Sequence, residues 1–160
     1  MGDLQIPVEV ADDLRLVHVG LVCRDMSSAQ DRLSRLLNVH WVGGDREEWP
    51  LVLYGSPKKV DLRIAHASDG QACFELIEAV PDTPWLTDRE VIQHHLCFYS
   101  QRSEEVCNYL ENNEFDRIMG RHGDPSGYFQ DPTGLLIEII DDNLRAYLEG
   151  FYRDSLEKRG

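Results

Sequence analysis

The order of hydrophobic patterns along the chain occurs twice, and this repeat constrains the fold more than any other feature. A strand-like segment at 15–23 precedes an amphipathic helix that we expect Ser27 to cap, and further strand-like segments follow before the order restarts at Val91. Three pairs coincide at one offset of 77 residues: His18 with His95, Ala29 with Val106, and Leu33 with Leu110. The sequence therefore predicts two βαβββ modules, although identity between the halves is weak.

The length of 160 residues is the usual size of one compact domain. We expect a single domain over 1–160, with module one at 14–80, module two at 91–141 and an additional C-terminal helix at 143–158. The predicted strands cover 15–23, 39–42, 51–54, 60–66, 72–80, 91–100, 115–120, 126–130 and 135–141. Residues 45–59 are predicted to be an irregular excursion around the short strand at 51–54 because they contain charges and two prolines.

Charge and composition exclude several classes of function. Sixteen basic and twenty-nine acidic residues give a net charge of −13, which disfavours binding to nucleic acid. No apolar run approaches the ~20 residues of a membrane span, and the N-terminal segment lacks the apolar region of a secretory signal. We therefore expect a cytoplasmic protein with no membrane association. The four cysteines form no CxxC pair and are predicted to be reduced core thiols.

Four polar side chains stand in otherwise apolar strands at equivalent points of the two modules. Strand alternation places His18 on one face with Gly20, and places Glu75 and Glu138 between apolar neighbours at strand centres. In the pair His94-His95 the same alternation assigns His95 to the face of the candidate site and His94 to packing or to support of a ligand. Alone, His18 would be interpreted as a core histidine, and Glu75 could pair with Arg63.

A carboxylate at a strand centre is costly to bury unless it has a partner, a metal ion or a raised pKa. Two such glutamates with two histidines in equivalent strands indicate a metal site more strongly than any one of them. Imidazole and carboxylate ligands suit zinc, nickel, cobalt, manganese or iron(II). The candidate metal ligands are therefore His18, Glu75, His95 and Glu138.

Four segments resemble motifs of the vicinal-oxygen-chelate superfamily, which includes glyoxalases, bleomycin resistance proteins and dioxygenases. The segments are VHVGLV at 17–22, FELIEAV at 74–80 with TPW at 83–85, QHHLCF at 93–98 and GYFQDPTGLLIE at 127–138. The resemblance covers about residues 14–141 and is strongest to the glyoxalase I and methylmalonyl-CoA epimerase branch. The final motif is the most specific of the four.

This resemblance implies an α+β fold in which the modules form one curved, eight-stranded mixed sheet around a metal cleft. It implies that a divalent ion is held by the four candidate ligands and that the protein pairs as a homodimer. It also implies a lyase or isomerase that acts on a small carbonyl or acyl substrate through an enediolate on the metal. Either Glu138 or Glu75 would act as the catalytic base.

Two other functions stay open at this stage. An iron-dependent ring-cleaving dioxygenase uses two histidines and one carboxylate, so a fourth ligand at Glu75 argues against it. A non-catalytic binder of small molecules or antibiotics would need an aromatic pocket, for which the candidate residues are Trp41, Trp49, Trp85, Tyr54 and Tyr128. The epimerase branch has an additional acid before its third strand, and here Glu47 and Glu48 are expected to be displaced from that position.

Overall fold

The computed structural model describes residues 12–159. Its elements follow in the order β1 (Arg15–Cys23), α1 (Met26–Leu37), β2 (Val42–Leu53), β3 (Ser56–Ser68), β4 (Cys73–Glu78), β5 (Val91–Tyr99), α2 (Ser103–Glu111), β6 (Asp116–Arg121), β7 (Asp124–Gln130), β8 (Leu136–Ile140) and α3 (Asp142–Arg159). Within this part of the chain, no helix has the length and hydropathy needed to span a bilayer. The N-terminal residues 1–11, which bear on the secretory-signal prediction, lie outside the described residues.

The eight strands form one mixed sheet that closes on itself, in the order β1-β4-β3-β2-β6-β7-β8-β5. Strand β1 runs parallel to β4, and β5 runs parallel to β8, while the other neighbouring pairs are antiparallel. Each module therefore contributes four adjacent strands with the same internal order. The prediction of an α+β fold with a curved eight-stranded mixed sheet is confirmed. The closure of this sheet into a barrel was not predicted.

The segment expected to be irregular is part of a long hairpin. Strand β2 runs without a break through 42–53, and β3 starts directly after a turn at Tyr54 and Gly55, whose φ angles are 49° and 81°. The prediction of separate strands at 39–42 and 51–54 was wrong. Charged residues are tolerated in the middle of β2 because, in the register observed, only Val52 and Leu53 pair with β6, so most of the strand has a single neighbour.

The first two helices cover the outside of the barrel at equivalent points. In α1, Ala29 and Leu33 are buried together with Leu76 of β4, and in α2, Val106 and Leu110 are buried against β7 and β8. The cap of α1 differs from the prediction because the Asp25 carboxylate, and not Ser27, accepts the hydrogen bond from the Ser28 amide at 2.7 Å. The buried residues of the two helices are therefore the pairs that the offset of 77 residues matches, Ala29 with Val106 and Leu33 with Leu110.

Two irregularities in the pairing of β1 with β5 shape the barrel wall near the candidate site. Gly20 pairs with His95 but Leu21 pairs with Gln93, so His94 has no partner and forms a bulge in β5. A second shift leaves Val17 of β1 between two paired residues. A bulge re-aims the side chains beside it, and strict alternation therefore does not hold at His94.

Candidate functional site

The four candidate ligands lie on four strands that are adjacent in the barrel, in the order β8-β5-β1-β4. Gly20 of β1 pairs with Glu75 on one side and with His95 on the other. Cys97 of β5 pairs in the same way with His18 and with Glu138. The register of these strands therefore brings the two histidines and two glutamates to one level of the barrel.

Their functional atoms converge inside the barrel. The Nε2 atoms of His18 and His95 are 3.2 Å apart. Glu75 Oε1 lies 3.7 Å from His18 Nε2 and 3.5 Å from His95 Nε2, while Glu138 Oε1 lies 3.6 Å and 4.0 Å from the same two atoms. Both imidazoles are buried, and the two carboxylates retain slight exposure toward the interior cavity. The four residues predicted from the sequence thus form one cluster.

Each imidazole has a hydrogen-bond partner on the side away from the cluster. His18 Nδ1 lies 2.7 Å from the Tyr152 hydroxyl. His95 Nδ1 lies 2.9 Å from His94 Nδ1, and His94 Nε2 lies 2.8 Å from the Pro84 carbonyl. With protons on Nδ1 of His18 and His95 and on Nε2 of His94, every one of these contacts joins a donor to an acceptor. Both Nε2 lone pairs then point toward the glutamates, as metal binding requires.

His66 of β3 is a member of the cluster that the sequence analysis missed. Its Nε2–H donates to Glu75 Oε2 at 3.1 Å, and its ring stacks on Phe151 with centroids 4.8 Å apart. The alternative partner proposed for Glu75 was wrong, because Arg63 instead pairs with Glu78 and donates to a backbone carbonyl. The signal available in the sequence was the register of the β3–β4 hairpin, which places His66 directly opposite Glu75.

Cys97 was interpreted as a core thiol, but its place is beside the candidate ligands. Its thiol interacts with Glu138 and, with His18 and Glu138, forms a second group whose ligand atoms lie within 4.8 Å of one another. Burial is the main factor that raises the pKa of this thiol well above its usual value. A neutral thiol is a poor metal ligand, so Cys97 serves better as a partner of Glu138.

Burial and mutual charge separate the pKa values of the two carboxylates. Burial, followed by the charge of Glu75, raises the pKa of Glu138 to about 7, although His95 opposes the rise. Burial also acts to raise the pKa of Glu75, but His18 and the hydrogen bonds from His66 and His95 outweigh it and hold that pKa well below its usual value. Glu75 is therefore the member of the pair that is ionised more readily.

The pKa values of His18 and His95 are shifted in opposite directions. Burial lowers the pKa of His18 to about 3 against the opposing charge of Glu75, so its imidazole is neutral. Burial acts in the same direction at His95, but the hydrogen bond that the Glu75 carboxylate accepts and the charge of Glu138 raise the net pKa of this imidazole. Burial, with the charge of His95 as the next cause, lowers the pKa of His94 to about 4. His94 is therefore neutral, and it links His95 to the Pro84 carbonyl by hydrogen bonds.

A cavity of about 240 Å³ opens directly onto the two carboxylates. Three of the five aromatic candidates line it, namely Trp49, Trp85 and Tyr128, whereas Tyr54 is exposed in the β2–β3 turn and Trp41 packs beneath α1. Tyr128 is buried and its ring lies 4.7 Å from that of His95. The wall is therefore largely apolar and aromatic, with polar groups concentrated at the cluster.

Two acidic residues of β2 also line this cavity. Asp45 and Glu47 face it, whereas Glu48 points outward and pairs with Lys59 at 3.4 Å. Whether Glu47 takes the position of the additional acid of the epimerase branch stays a prediction, but the unbroken strand β2 carries this residue along the cavity wall. Arg121 supplies a positive charge on the same wall and stacks over Trp49 with its guanidinium carbon 5.1 Å from the ring centroid.

The donor set fits a divalent metal ion. His18, Glu75 and His95 each offer one atom within 4.8 Å of the others, and Glu138 reaches the same point from β8. Imidazole nitrogen and carboxylate oxygen are ligands for zinc, nickel, cobalt, manganese and iron(II). The hydrogen bonds at both Nδ1 atoms hold the rings in the orientation that such an ion needs.

Comparison with known proteins identifies the family. The model of the glyoxalase/bleomycin resistance protein/dioxygenase superfamily matches residues 17–129, which is more than half of the chain. The chain therefore belongs to this superfamily, as the four sequence motifs predicted. No curated protein matches it in sequence.

Solved structures show the same fold at low sequence identity. A hypothetical protein from Bacillus halodurans C-125 is 18% identical, with a TM-score of 0.58 over 81% of this chain and 94% of that one. Methylmalonyl-CoA epimerase from Mycobacterium tuberculosis is 17% identical, with a TM-score of 0.57 over 89% of this chain and 97% of that one. These likenesses establish the fold, and α3 lies beyond the last residue that the family model matches.

Proposed function

We propose that this protein is a divalent-metal-dependent lyase or isomerase, similar to a glyoxalase or an epimerase, that acts on a small carbonyl or acyl compound. The observation that carries the proposal is the convergence of His18, Glu75, His95 and Glu138 at the wall of a cavity. The fold of methylmalonyl-CoA epimerase supports the reaction class. The four side chains are proposed as the metal ligands.

A bound divalent ion supplies Lewis acidity that polarises a carbonyl and makes the adjacent C–H bond more acidic. The protein contributes the fixed geometry. Hydrogen bonds orient both imidazoles, and His66 holds one oxygen of Glu75 so that the other faces His18 and His95. A substrate that enters the cavity therefore meets preset side chains, which reduces the reorganisation that the reaction requires.

Of the two glutamates, Glu138 is the better candidate for the catalytic base. One oxygen of Glu75 is held by His66, and the pKa of Glu75 lies well below its usual value. In the protein without a metal ion, the pKa of Glu138 is raised to about 7, and its side chain is 15% exposed toward the cavity compared with 8% for Glu75. A carboxylate with a pKa near the working pH can both accept and return a proton.

The cavity indicates a compact reacting group. Its volume of about 240 Å³ lies below the ~300–1,000 Å³ of pockets that enclose drug-sized ligands. Trp85 and Tyr128 form a buried aromatic wall that is held by a hydrogen bond of 3.1 Å between the indole N–H and the phenol oxygen. This wall excludes water from the side of His95 and leaves room for a short acyl or 2-oxo group.

The proposal is tested by elemental analysis of the purified protein, followed by assays of 2-oxo and acyl-CoA compounds with each divalent metal. We expect roughly one metal ion per chain and metal-dependent isomerisation or lyase activity that a chelator abolishes. Oxygen uptake with catechol-type compounds would instead support the ring-cleaving dioxygenase. Ligand binding without metal and without turnover would support the non-catalytic binder.

The His95→Ala variant tests the metal centre itself. Because this change removes one of the two imidazole ligands, we expect it to lose bound metal and the thermal stabilisation that added metal gives to the wild-type protein. His40→Ala is the matched control, since His40 is exposed and lies outside the cluster. Unchanged metal content in His95→Ala would refute the assignment.

A further inference from the structure

The C-terminal helix α3 packs onto the candidate site even though it lies beyond the region that the family model matches. Four of its residues line the same cavity as Glu75 and Glu138: Leu144, Tyr147, Leu148 and Phe151. A fifth, Tyr152, is buried behind the cavity wall and contacts His18. This helix therefore reaches both the substrate cavity and a proposed metal ligand.

The position of α3 is set by contacts that do not involve His18. The Ser155 hydroxyl accepts a hydrogen bond from the Ser68 amide at 2.9 Å and donates to the His40 carbonyl at 2.5 Å. At the other end of the helix, the Tyr99 hydroxyl donates to Asp142. Because both ends are anchored to the barrel, the Tyr152 hydroxyl is delivered to a fixed point.

At that point, Tyr152 has only one hydrogen-bond partner among the described residues. Its hydroxyl lies 2.7 Å from His18 Nδ1, and both side chains are almost fully buried. When the phenol oxygen accepts the Nδ1–H, the Nε2 lone pair of His18 faces Glu75 and Glu138. Without this acceptor, a buried Nδ1–H would be left unpaired, and the other tautomer would compete by placing a proton on Nε2.

The two histidines therefore use different sources of support. His95 is held by His94 and the Pro84 carbonyl, which belong to β5 and to the linker before it. His18 has no equivalent on its own strand and takes its partner from α3. We propose that Tyr152 is a positioning residue that holds His18 in the metal-binding tautomer, so that α3 forms part of the metal centre. This proposal rests on the proposed metal site but not on the reaction.

The test compares Co²⁺ binding to the metal-free forms of the wild-type protein and of Tyr152→Phe. Co²⁺ absorption reports the coordination of the ion, and titration gives its dissociation constant. We expect Tyr152→Phe to bind Co²⁺ about 10–100-fold more weakly, the usual effect of removing a residue that supports a metal ligand. Long-range ¹H–¹⁵N NMR spectra of the metal-free protein should show a larger fraction of His18 protonated at Nδ1 in the wild-type protein than in Tyr152→Phe.

Two control variants separate positioning from general support of the helix. Tyr99→Phe removes a hydroxyl contact with α3, and Ser155→Ala removes the anchor near its C-terminal end, but neither changes a group that contacts His18. Both should bind Co²⁺ within a few-fold of the wild-type protein and keep its His18 tautomer.

Three results would overturn the proposal, and they have different meanings. Co²⁺ binding as tight in Tyr152→Phe as in the wild-type protein would reject the role of Tyr152 alone. Equal weakening in Ser155→Ala and Tyr152→Phe, with the same His18 tautomer in both, would make the effect one of helix docking. A wild-type protein that binds no Co²⁺ would reject the metal centre and this proposal together.

Discussion

At the scale of single residues, Gly20 shows how closely the site is packed. A Cβ atom added to Gly20 would lie only 2.0 Å from Cε1 and 2.3 Å from Nδ1 of His95. Gly20 pairs directly with both Glu75 and His95, so the imidazole occupies the space that any other side chain would take. The glycine in the first-strand motif is therefore required by contact with a ring on the neighbouring strand and not by the conformation of its own backbone.

The Gly20→Ala variant should consequently displace the His95 ring. We expect weaker metal binding together with a loss of about 1–3 kcal/mol of stability, which is typical of overpacking a core. Metal titration and chemical denaturation measure the two effects. Gly150→Ala on α3 is the control, because an added Cβ there would meet only Arg153 at 3.9 Å and should stabilise the helix by about 0.5–1 kcal/mol. Unchanged metal affinity in Gly20→Ala would contradict the packing argument.

Glu138 and its amide analogue differ in charge but hardly in shape. Because burial and the charge of Glu75 raise the pKa of Glu138 to about 7, replacing this residue with Gln removes a charge that is already unfavourable in the metal-free protein. We expect the melting temperature of metal-free Glu138→Gln to be equal to or above that of the wild-type protein, while catalysis falls by at least ~100-fold. Thermal denaturation and steady-state assays check the two parts, and a large loss of metal-free stability would be inconsistent with them.

At the scale of elements, α1 and α2 stabilise the barrel from outside. Leu33 and Leu110 are buried at equivalent points of the two helices, outside the cluster of candidate metal ligands. The bulge at His94 acts on the inside of the barrel, since it lets neighbouring residues of β5 join in one hydrogen-bonded relay. The packing of the helices and the candidate site thus lie on different faces of the same sheet.

This separation predicts the effect of truncating the helix core. Leu33→Ala and Leu110→Ala should each lower the free energy of unfolding by about 2–4 kcal/mol through loss of burial and formation of a cavity. Metal affinity of the folded fraction should stay within a few-fold of that of the wild-type protein. Leu36→Ala is the control, because Leu36 is 71% exposed on α1 and its removal should change stability little. Denaturant titrations with and without metal provide the measurement.

At the scale of the whole molecule, tertiary packing buries the cysteine thiols as well as the cluster of candidate metal ligands. The free cysteines Cys23, Cys97 and Cys107 are buried, and Cys73 is partly buried. Burial raises the pKa of Cys23 and Cys107 to about 12, so almost no thiolate is present at neutral pH. The buried thiols are therefore protected both because reagents cannot reach them and because they are not ionised.

Alkylation should reveal this protection. At pH 8, we expect iodoacetamide to modify the buried cysteines at least ~100-fold more slowly in the native protein than in denaturant. Cys73 should react first, and all four cysteines should react in the unfolded chain. Mass spectrometry of peptides after timed alkylation gives the order. Rapid native modification of Cys97 would show that the barrel opens near the site.

The homodimer stays a prediction, which light scattering on a size-exclusion column can check.

Much of the candidate site could be predicted because it depends on local patterns. Alternation within a strand indicates which face His18, Glu75 and Glu138 occupy, and the offset of 77 residues pairs the first and second modules. The same rule assigned His95 to the face on which the structure places it. The expectation that His94 packs or supports a ligand agrees with its hydrogen bond to His95, although a bulge interrupts the alternation at His94. Because residues 45–59 contain many charges, they were predicted to be irregular. The sequence analysis therefore did not predict the continuous strand β2 or the position of Glu47 on the cavity wall.

The sequence by itself determined the duplicated order of strands and helices and the four side chains that face inward. Both follow from short-range periodicity, which depends on the backbone of a single element. Only the tertiary structure decided that His66 supports Glu75, that Cys97 lies beside Glu138 and that Tyr152 reaches His18 across 134 positions of the chain. Such contacts arise from the pairing register of separate strands and the docking of a distant helix, which depend on packing over the whole barrel.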